Sequence, residues 1–323
     1  MSALPAVVTC RDLVRKFGDQ TVLDGIDLEI APGTIVGLIG PSGCGKTTLI
    51  RILLGIRRPT AGEVEVLGQR PEDFSPRHRA RIGYMPQLPS LFPNLSIWNN
   101  LRFAAALYGV RRRHRRRRLR HMLDFVGLGD DAGKLLGHAS GGMQRRLALA
   151  AALVHEPDLV LLDEPTAGID PILRERFWTY FQTLRDAGRT LIVSTQYVGE
   201  AEECDVVAVM FAGRVLAFDT PAGLRTRVFG GELIDVRPTR GWLTAEDLEK
   251  LAAEPFVLSV ERIVDGARLV VHDASTATSL LLDHLREREV EPVSIDQVTP
   301  DYDEIFVRLI GAENADADRA VPA

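Results

Sequence analysis

Gly40-Pro41-Ser42-Gly43-Cys44-Gly45-Lys46-Thr47-Thr48 is the stretch on which the reading of this chain turns. It fits the pattern G-x-x-x-x-G-K-[ST] of a phosphate-binding loop. Thr34-Ile35-Val36-Gly37-Leu38-Ile39 before it reads as a buried strand, and Lys46 to Leu54 after it carries apolar residues at helical spacing. Strand, glycine loop and helix together are the context the motif needs. Glycines let the backbone turn tightly and bring its N–H groups to phosphate oxygens, and the following helix adds its positive end. On this reading Lys46 reaches the β- and γ-phosphates and the Thr47 hydroxyl binds Mg²⁺. The alternative is a chance glycine turn, which the flanking strand and helix disfavour.

The surrounding composition narrows the class. A chain of 323 residues has room for one large and one small domain. No stretch reaches the roughly 18 apolar residues that a membrane helix needs, and the start, Met1-Ser2-Ala3-Leu4-Pro5, lacks a basic region before an apolar core. The 3 cysteines, Cys10, Cys44 and Cys204, have no metal-ligand spacing and suit a reducing cytosol. A net charge of −5 gives no global attraction to nucleic acid, and no nucleic-acid partner is expected.

Outward from the loop, Val7–Cys10 and Val22–Ile30 read as strands, the second alternating Leu23, Ile26, Leu28 and Ile30 with Asp24, Asp27 and Glu29. Between them lies a turn, Lys16-Phe17-Gly18-Asp19. Phe17 suits either an adenine-stacking face or an ordinary core or turn position. Gly62–Leu67 and Arg81–Met85 are further strands. Gln87 follows the second, where open α/β sheets present ligand-contacting groups. From Leu88 to about Pro157 the pattern is helical, with Ser96 capping one helix. Arg111 to Arg118 is a dense basic run opening a second. It reads chiefly as a solvated helix face, with Leu119, Met122, Leu123 and Val126 turned inward, and secondarily as a contact with anionic headgroups. No aromatic residues interleave to stack bases.

Ser140-Gly141-Gly142 opens an Ala/Leu-rich helix and makes a second anion-binding helix start, with Ser140 as N-cap. Leu159-Val160-Leu161-Leu162-Asp163-Glu164 is a buried parallel strand with two acids at its carboxyl end. That is where a Mg²⁺-directed Asp163 belongs, and Glu164 beside it is placed to polarise an attacking water. After the turn Gly168-Ile169-Asp170-Pro171, a helix leads to the strand Thr190–Thr195, which ends at Gln196.

In this order and at these separations, the motifs resemble those of the nucleotide-binding subunits of ABC transporters, from about Val7 to Phe229. The resemblance implies an α/β fold: a RecA-like ATPase core with an antiparallel β-subdomain and a helical subdomain inserted over about 88–155. By the same resemblance, residues 6–229 are the nucleotide-binding domain. Phe17 falls where the family stacks adenine. Gly40 through Thr48 (Gly40, Pro41, Ser42, Gly43, Cys44, Gly45, Lys46, Thr47, Thr48) match the phosphate and Mg²⁺ ligands. Gln87 matches the residue touching Mg²⁺ and the attacking water, Asp163 the metal-directed carboxylate and Glu164 the general base. Ser140, Gly141 and Gly142 match the signature covering the γ-phosphate bound to the opposite subunit, and Asp170 the cross-interface turn. The implied cofactors are ATP and Mg²⁺. The implied partners are a second copy of the chain and a separate transmembrane permease, contacted through Leu88–Leu107, with the chain cytoplasmic and peripheral on the inner face of the membrane.

Three departures bear on this resemblance. Ala139 and Met143 stand where the family usually has Leu and Gln, and Met143 before a basic, Leu-rich helix resembles the drug- and antibiotic-exporting branch. Gln196 stands where most members carry a His on the γ-phosphate. Its amide donates a similar hydrogen bond but cannot become cationic, so hydrolysis is expected without an inflection at about pH 6.5 from this position. Cys44, beside Lys46 and a helix start, reads chiefly as a small inert filler; the alternative is a thiol of lowered pKa, and alkylation is expected to inhibit the ATPase, with MgATP protecting.

Beyond residue 230 the phosphate-site logic stops. The order β-α-β-β-α-β over 230–311 suggests a small α+β, ferredoxin-like accessory domain, closed by an amphipathic helix, and Ala312–Ala323 reads as a disordered tail. The expected function is ATP hydrolysis powering export of a drug, antibiotic, lipid or polysaccharide. The alternatives are a soluble ABC ATPase acting on ribosome or DNA, and a regulatory module with dead sites. One phosphate loop and one signature, about 100 residues apart with no sustained heptads, disfavour the first, and intact Lys46, Asp163 and Glu164 the second.

Overall fold

The structure, a computed structural model, describes residues 5–238, 244–286 and 292–319. The chain forms two units that divide between Thr220 and Pro221. In chain order the first unit contains β1 (Val8–Phe17), β2 (Gln20–Ile30), β3 (Ile35–Ile39), α1 (Lys46–Leu53), β4 (Ala61–Val66), α2 (Pro76–Arg79) and β5 (Ile82–Met85). It continues with α3 (Ile97–Leu107), α4 (Arg112–Phe125), α5 (Gly141–Leu153), β6 (Leu159–Asp163), α6 (Pro171–Asp186), β7 (Thr190–Thr195), β8 (Val206–Phe211) and β9 (Arg214–Asp219).

Two sheets organise this unit. A 6-stranded sheet runs in the order β5-β6-β7-β3-β8-β9. All its pairs are parallel except β8 with β9. Its central strands β3, β6 and β7 are buried at every position, as continuous apolar runs covered on both faces should be. The second sheet is antiparallel, in the order β2-β1-β4. In β2 the buried set Leu23, Ile26, Leu28 and Ile30 shifts phase by one residue between Leu23 and Ile26. Gly25, with φ 68°, absorbs the extra residue, and the β1–β2 register slips opposite it. Helix α1 packs Leu49, Ile50, Ile52 and Leu53 into a single core with β2 on one side and Leu161, Ile192 and Ala208 on the other. Each such fully buried aliphatic side chain contributes about 2 kcal/mol of transfer free energy. The helix that starts at the phosphate loop is thereby clamped between both sheets.

Helices α3, α4 and α5 pack against one another and form the expected helical insert. Ser96 caps α3 by accepting from Asn99 N, and Ser140 caps α5 by accepting from Met143 N. Asp170 caps α6 through Leu173 N, with Pro171 at the first helical position.

The second unit contains α7 (Pro221–Phe229), β10 (Glu232–Pro238), α8 (Ala245–Ala252), β11 (Val257–Ile263), β12 (Gly266–Val271), α9 (Ala274–Arg286), β13 (Pro292–Val298) and α10 (Tyr302–Arg319). Its β-α-β-β-α-β elements form an antiparallel sheet in the order β11-β12-β10-β13. A core of Ile234, Val236, Leu269, Val271 and Leu281 lies beneath it. Asp235, buried in β10, is held by Arg268 at 2.7 Å and Arg237 at 3.2 Å. Two details differ from the sequence reading. Helix α7 belongs to this unit rather than to the nucleotide-binding domain, because its contacts with α10 and β10 lie there. Helix α10 continues through the stretch read as a disordered tail as far as Arg319, and residues 320–323 lie outside the described residues.

Candidate active site

Because β5, β6, β7 and β3 are parallel neighbours, their carboxyl ends share one edge of the sheet. That edge gathers the phosphate loop after Ile39, Gln87 after Met85, Asp163 and Glu164 at the end of β6, and Gln196 after Thr195. Ladder register completes the alignment, with Asp163 paired to Ser194 and Ile39 to Thr195.

The loop is sterically committed to glycine at its two ends. A β-carbon on Gly40 would lie 2.2 Å from Met210 O, and one on Gly45 2.6 Å from Leu23 Cδ2. Gly45 also holds φ 111°, a conformation that L side chains rarely adopt. Inside the loop Lys46 is only 5% exposed. Its ammonium donates to Gly40 O at 2.6 Å and Pro41 O at 2.9 Å. The loop's curl thereby satisfies the buried ammonium with its own main-chain carbonyls.

Asp163 is 1% exposed. Its Oδ1 accepts from Ser194 Oγ at 2.7 Å and from Thr47 Oγ1 at 3.1 Å. Its Oδ2 is buried and has no hydrogen-bond partner. A buried carboxylate oxygen left open beside a threonine hydroxyl fits a hard cation with oxygen ligands. Glu164 follows in the left-handed region at φ 54°, which costs a residue with a β-carbon about 1 kcal/mol. Ser194 holds it there: Glu164 N donates to both Ser194 O and Ser194 Oγ at 3.1 Å. Such strain maintained by its surroundings marks a functional position. Gln196 is tied to the loop directly, accepting from Ser42 Oγ at 2.8 Å.

The structure thus gathers Ser42, Lys46, Thr47, Asp163, Glu164 and Gln196 at one edge of the sheet, with Thr47, Asp163, Ser194 and Glu164 hydrogen-bonded in a chain and Ser42 with Gln196 in a separate pair. Phe17 ends β1 rather than sitting in the turn, is 41% exposed, and carries the Arg15 guanidinium 4.4 Å above its ring. The backbone carbonyl of Gln87 accepts from Arg145 of α5, and its side chain makes no hydrogen bond among the described residues. Ser140, Gly141, Gly142 and Asp170 stand apart, exposed. No atom lies within 4 Å of a β-carbon built on Gly141 or Gly142, and neither glycine has positive φ. Nothing among the described residues requires glycine at those two positions.

Cys44 corrects the alternative of a lowered thiol pKa. Burial pushes its thiol pKa above the ordinary value, and Lys46, 3.8 Å from the sulfur, offsets this only in part. The neighbouring cation and the helix start were visible locally; the packing of the sulfur beneath Gly40 was not.

Two residues of the site escaped the sequence reading. Ser194 orients Asp163 and anchors Glu164, and its signal was a hydroxyl ending an apolar buried strand. Arg145 of α5 donates to Ala167 O and, at 3.3 Å, to Gln87 O. It thereby links the signature helix to the loops after β5 and β6. Its partners are main-chain carbonyls distant in sequence, so no local pattern announces it.

A cavity of about 330 Å³ adjoins Gln87, lined by Tyr84, Pro86, Phe92, Phe103, Leu107 and Tyr108 among others. Leu88 (82%), Leu107 (69%) and Phe103 (48%) leave its surroundings apolar and exposed. No helix among the described residues is long and apolar enough to cross a membrane.

Comparison with known proteins agrees with this geometry. A family model described as "ABC transporter" matches residues 23–167. The "Daunorubicin resistance ATP-binding protein DrrA3" of Streptomyces coeruleorubidus is 35% identical over 305 residues, covering 94% of this chain and 96% of that protein. The "Probable multidrug ABC transporter ATP-binding protein YbhF" of Escherichia coli (strain K12) is 37% identical over 229 residues, 71% of this chain, but the chain spans only 40% of that relative's length. Among solved structures, the "Dimeric structure of a post-hydrolysis state of the ATP-binding cassette MJ0796 bound to ADP and Pi" superposes with a TM-score of 0.61 at 27% identity, covering 66% of this chain and 98% of that one. With its phosphate loop, its strand-end carboxylates and these relatives, the chain belongs to the family of ABC transporter ATP-binding proteins.

Proposed function

We propose that the chain is the ATP-hydrolysing subunit of an exporter whose membrane-spanning permease is a separate polypeptide. The observation that carries this reading is the open, buried Oδ2 of Asp163 beside Thr47 at the mouth of the phosphate loop. Thr47, Asp163 and Gln87 are the residues that would hold Mg²⁺, which when bound supplies positive charge against the phosphate oxygens. Lys46 contributes its fixed charge to the β- and γ-phosphates, and the loop's N–H groups orient them. Phe17 stacks the adenine. Glu164 accepts the proton of the water attacking the γ-phosphorus, and Gln196, already bound to Ser42, offers an amide to the same phosphate.

Glycines unrequired within the chain fit a surface that must lie flush against something outside it. We assign that role to the phosphates held by a second copy, so that two chains close on two ATP molecules, each signature covering the other's phosphate loop. Closing and opening is the work passed to the permease. The apolar cavity beside Gln87 and the exposed Leu88–Leu107 segment suit a permease element, since an apolar patch of this kind marks a contact surface. The cargo assigned by this reading is a drug, antibiotic, lipid or polysaccharide, and the chain works at the inner face of the cell membrane.

Glu164→Gln tests the assignment. It removes the base while keeping the side chain's size, so turnover is expected to fall at least about 10³-fold. ATP-bound dimers should then accumulate in size-exclusion chromatography. Retained turnover removes Glu164 from its role, and lost turnover without dimers removes the two-copy closure.

A further inference from the structure

Residues 111–120 contain eight arginines and no acidic side chain, in a chain of net charge −5. A helix start favours acids, yet α4 has none in its first turn. Arg112/Arg116, Arg113/Arg117 and Arg116/Arg120 are neighbours one turn apart on its surface, and like charges at that spacing repel. A solvated face ordinarily intersperses both signs.

Among the described residues three of these side chains make hydrogen bonds within the fold, Arg113 donating to His114 Nε2 at 2.8 Å. Arg118 donates to Leu153 O at 2.8 Å and Val154 O at 3.1 Å, satisfying carbonyls at the end of α5, and lies 3.3 Å from Glu156. Arg115 donates twice to Val110 O. Among the described residues no ion pair neutralises Arg111 or Arg117. These two, with His114, His121, Arg118 and Glu156, line a cavity of about 650 Å³ between α4 and the end of α5. The one carboxylate on its wall, Glu156, is already engaged by Arg118. A concavity of ligand size therefore presents two unneutralised guanidinium groups. Guanidinium forks match phosphate oxygens in pairs, and an anion seated there would relieve the repulsion along α4.

We propose that this cavity binds a phosphate-bearing anion, gripped by Arg111 and Arg117 with His114 and His121 at its edge. A free phosphate compound and a phospholipid headgroup share that chemistry. The site lies outside the catalytic network and does not depend on the transport reading.

The test uses the full chain with saturating MgADP, which occupies the phosphate loop. In one arm it is titrated with inorganic pyrophosphate by calorimetry. In the other it is floated with phosphatidylcholine vesicles, with or without phosphatidic acid. Binding in either arm is expected. Arg111→Gln with Arg117→Gln should weaken it at least about tenfold, as lost charge-assisted hydrogen bonds do. Arg112→Gln with Arg116→Gln removes equal charge from outside the cavity and should weaken it less than about threefold. Melting curves verify that both double variants fold, and the single variant Arg111→Gln provides an independent measure. Pyrophosphate alone bound indicates a soluble ligand, and phosphatidic acid vesicles alone a headgroup; each supports the site. No binding in either arm, or equal weakening by the two double variants, overturns it.

Discussion

The chain has two glycine-rich helix starts, and they are built on opposite principles. At the phosphate loop, glycine is demanded from within: Met210 O and Leu23 crowd the positions of any β-carbon on Gly40 and Gly45, and the lysine that follows is buried and bonded to the loop. At Ser140-Gly141-Gly142 the helix is capped by an ordinary serine, and both glycines face open space. The first start is part of the core of its own subunit. The second is finished locally and left bare. The comparison teaches that one helix start is shaped by folding, whereas the other carries glycines that no packing among the described residues demands, as the proposed closure of two copies would require.

The largest test of this contrast is Gly40→Ala. The new β-carbon meets a main-chain carbonyl that cannot step aside, so thermal or urea unfolding should show a loss of at least about 4 kcal/mol. A near-neutral change would mean that the loop is more pliant than its packing implies.

Next in size is the acid response at the far end of the signature helix. His155 stacks on Tyr108 with ring centroids 3.9 Å apart, and its Nε2 lies 3.2 Å from Ile82 O. Burial lowers its pKa from the ordinary 6.5 to about 4. The folded chain therefore binds fewer protons here than the unfolded chain between those values. Stability is full above pH 6.5 and falls as pH drops towards 4, by about 3 kcal/mol in total. His155→Phe keeps the stacking and should flatten the melting temperature over that window. An unchanged slope would place the titration elsewhere.

Gly142→Ala should leave stability within about 0.5 kcal/mol, because the added methyl meets nothing in the chain. ATP turnover should nevertheless fall about tenfold or more, since the methyl would intrude on the opposing surface. Loss of stability instead of turnover would erase the distinction between the two starts. The smallest effect concerns Cys44. With its thiol pKa raised, iodoacetamide at pH 8 should modify it more slowly than an unfolded cysteine, and urea should restore the ordinary rate. Rapid modification of the native chain would reinstate an activated thiol.

What the sequence revealed follows the same division between local and distant causes. The buried strands, the helix caps at Ser96 and Ser140, and the loop with its lysine all carry their reasons within a few neighbouring residues. The placement of Asp163 and Glu164 at the carboxyl end of a buried strand was legible because two acids close an apolar run. Ser194 gained its meaning only from ladder register, which sets it opposite Asp163. Arg145 serves carbonyls 22 and 58 residues away, with no side-chain pattern to mark them. For Cys44 the local signs pointed to a depressed pKa, and long-range packing reversed them. The family resemblance carries the nucleotide-binding domain to residue 229, whereas α7 makes its contacts with β10 and α10 of the second unit.

The bond between Asp163 and Ser194 joins partner positions on two neighbouring strands of a parallel ladder. A slip of β7 by a single residue would turn Ser194 to the opposite face, releasing Asp163 and the Glu164 backbone together. Any deletion within Thr190–Thr195 should therefore silence the chemistry even if a sheet still forms, so the reading frame of this short strand is as much a part of the enzyme's machinery as its acids.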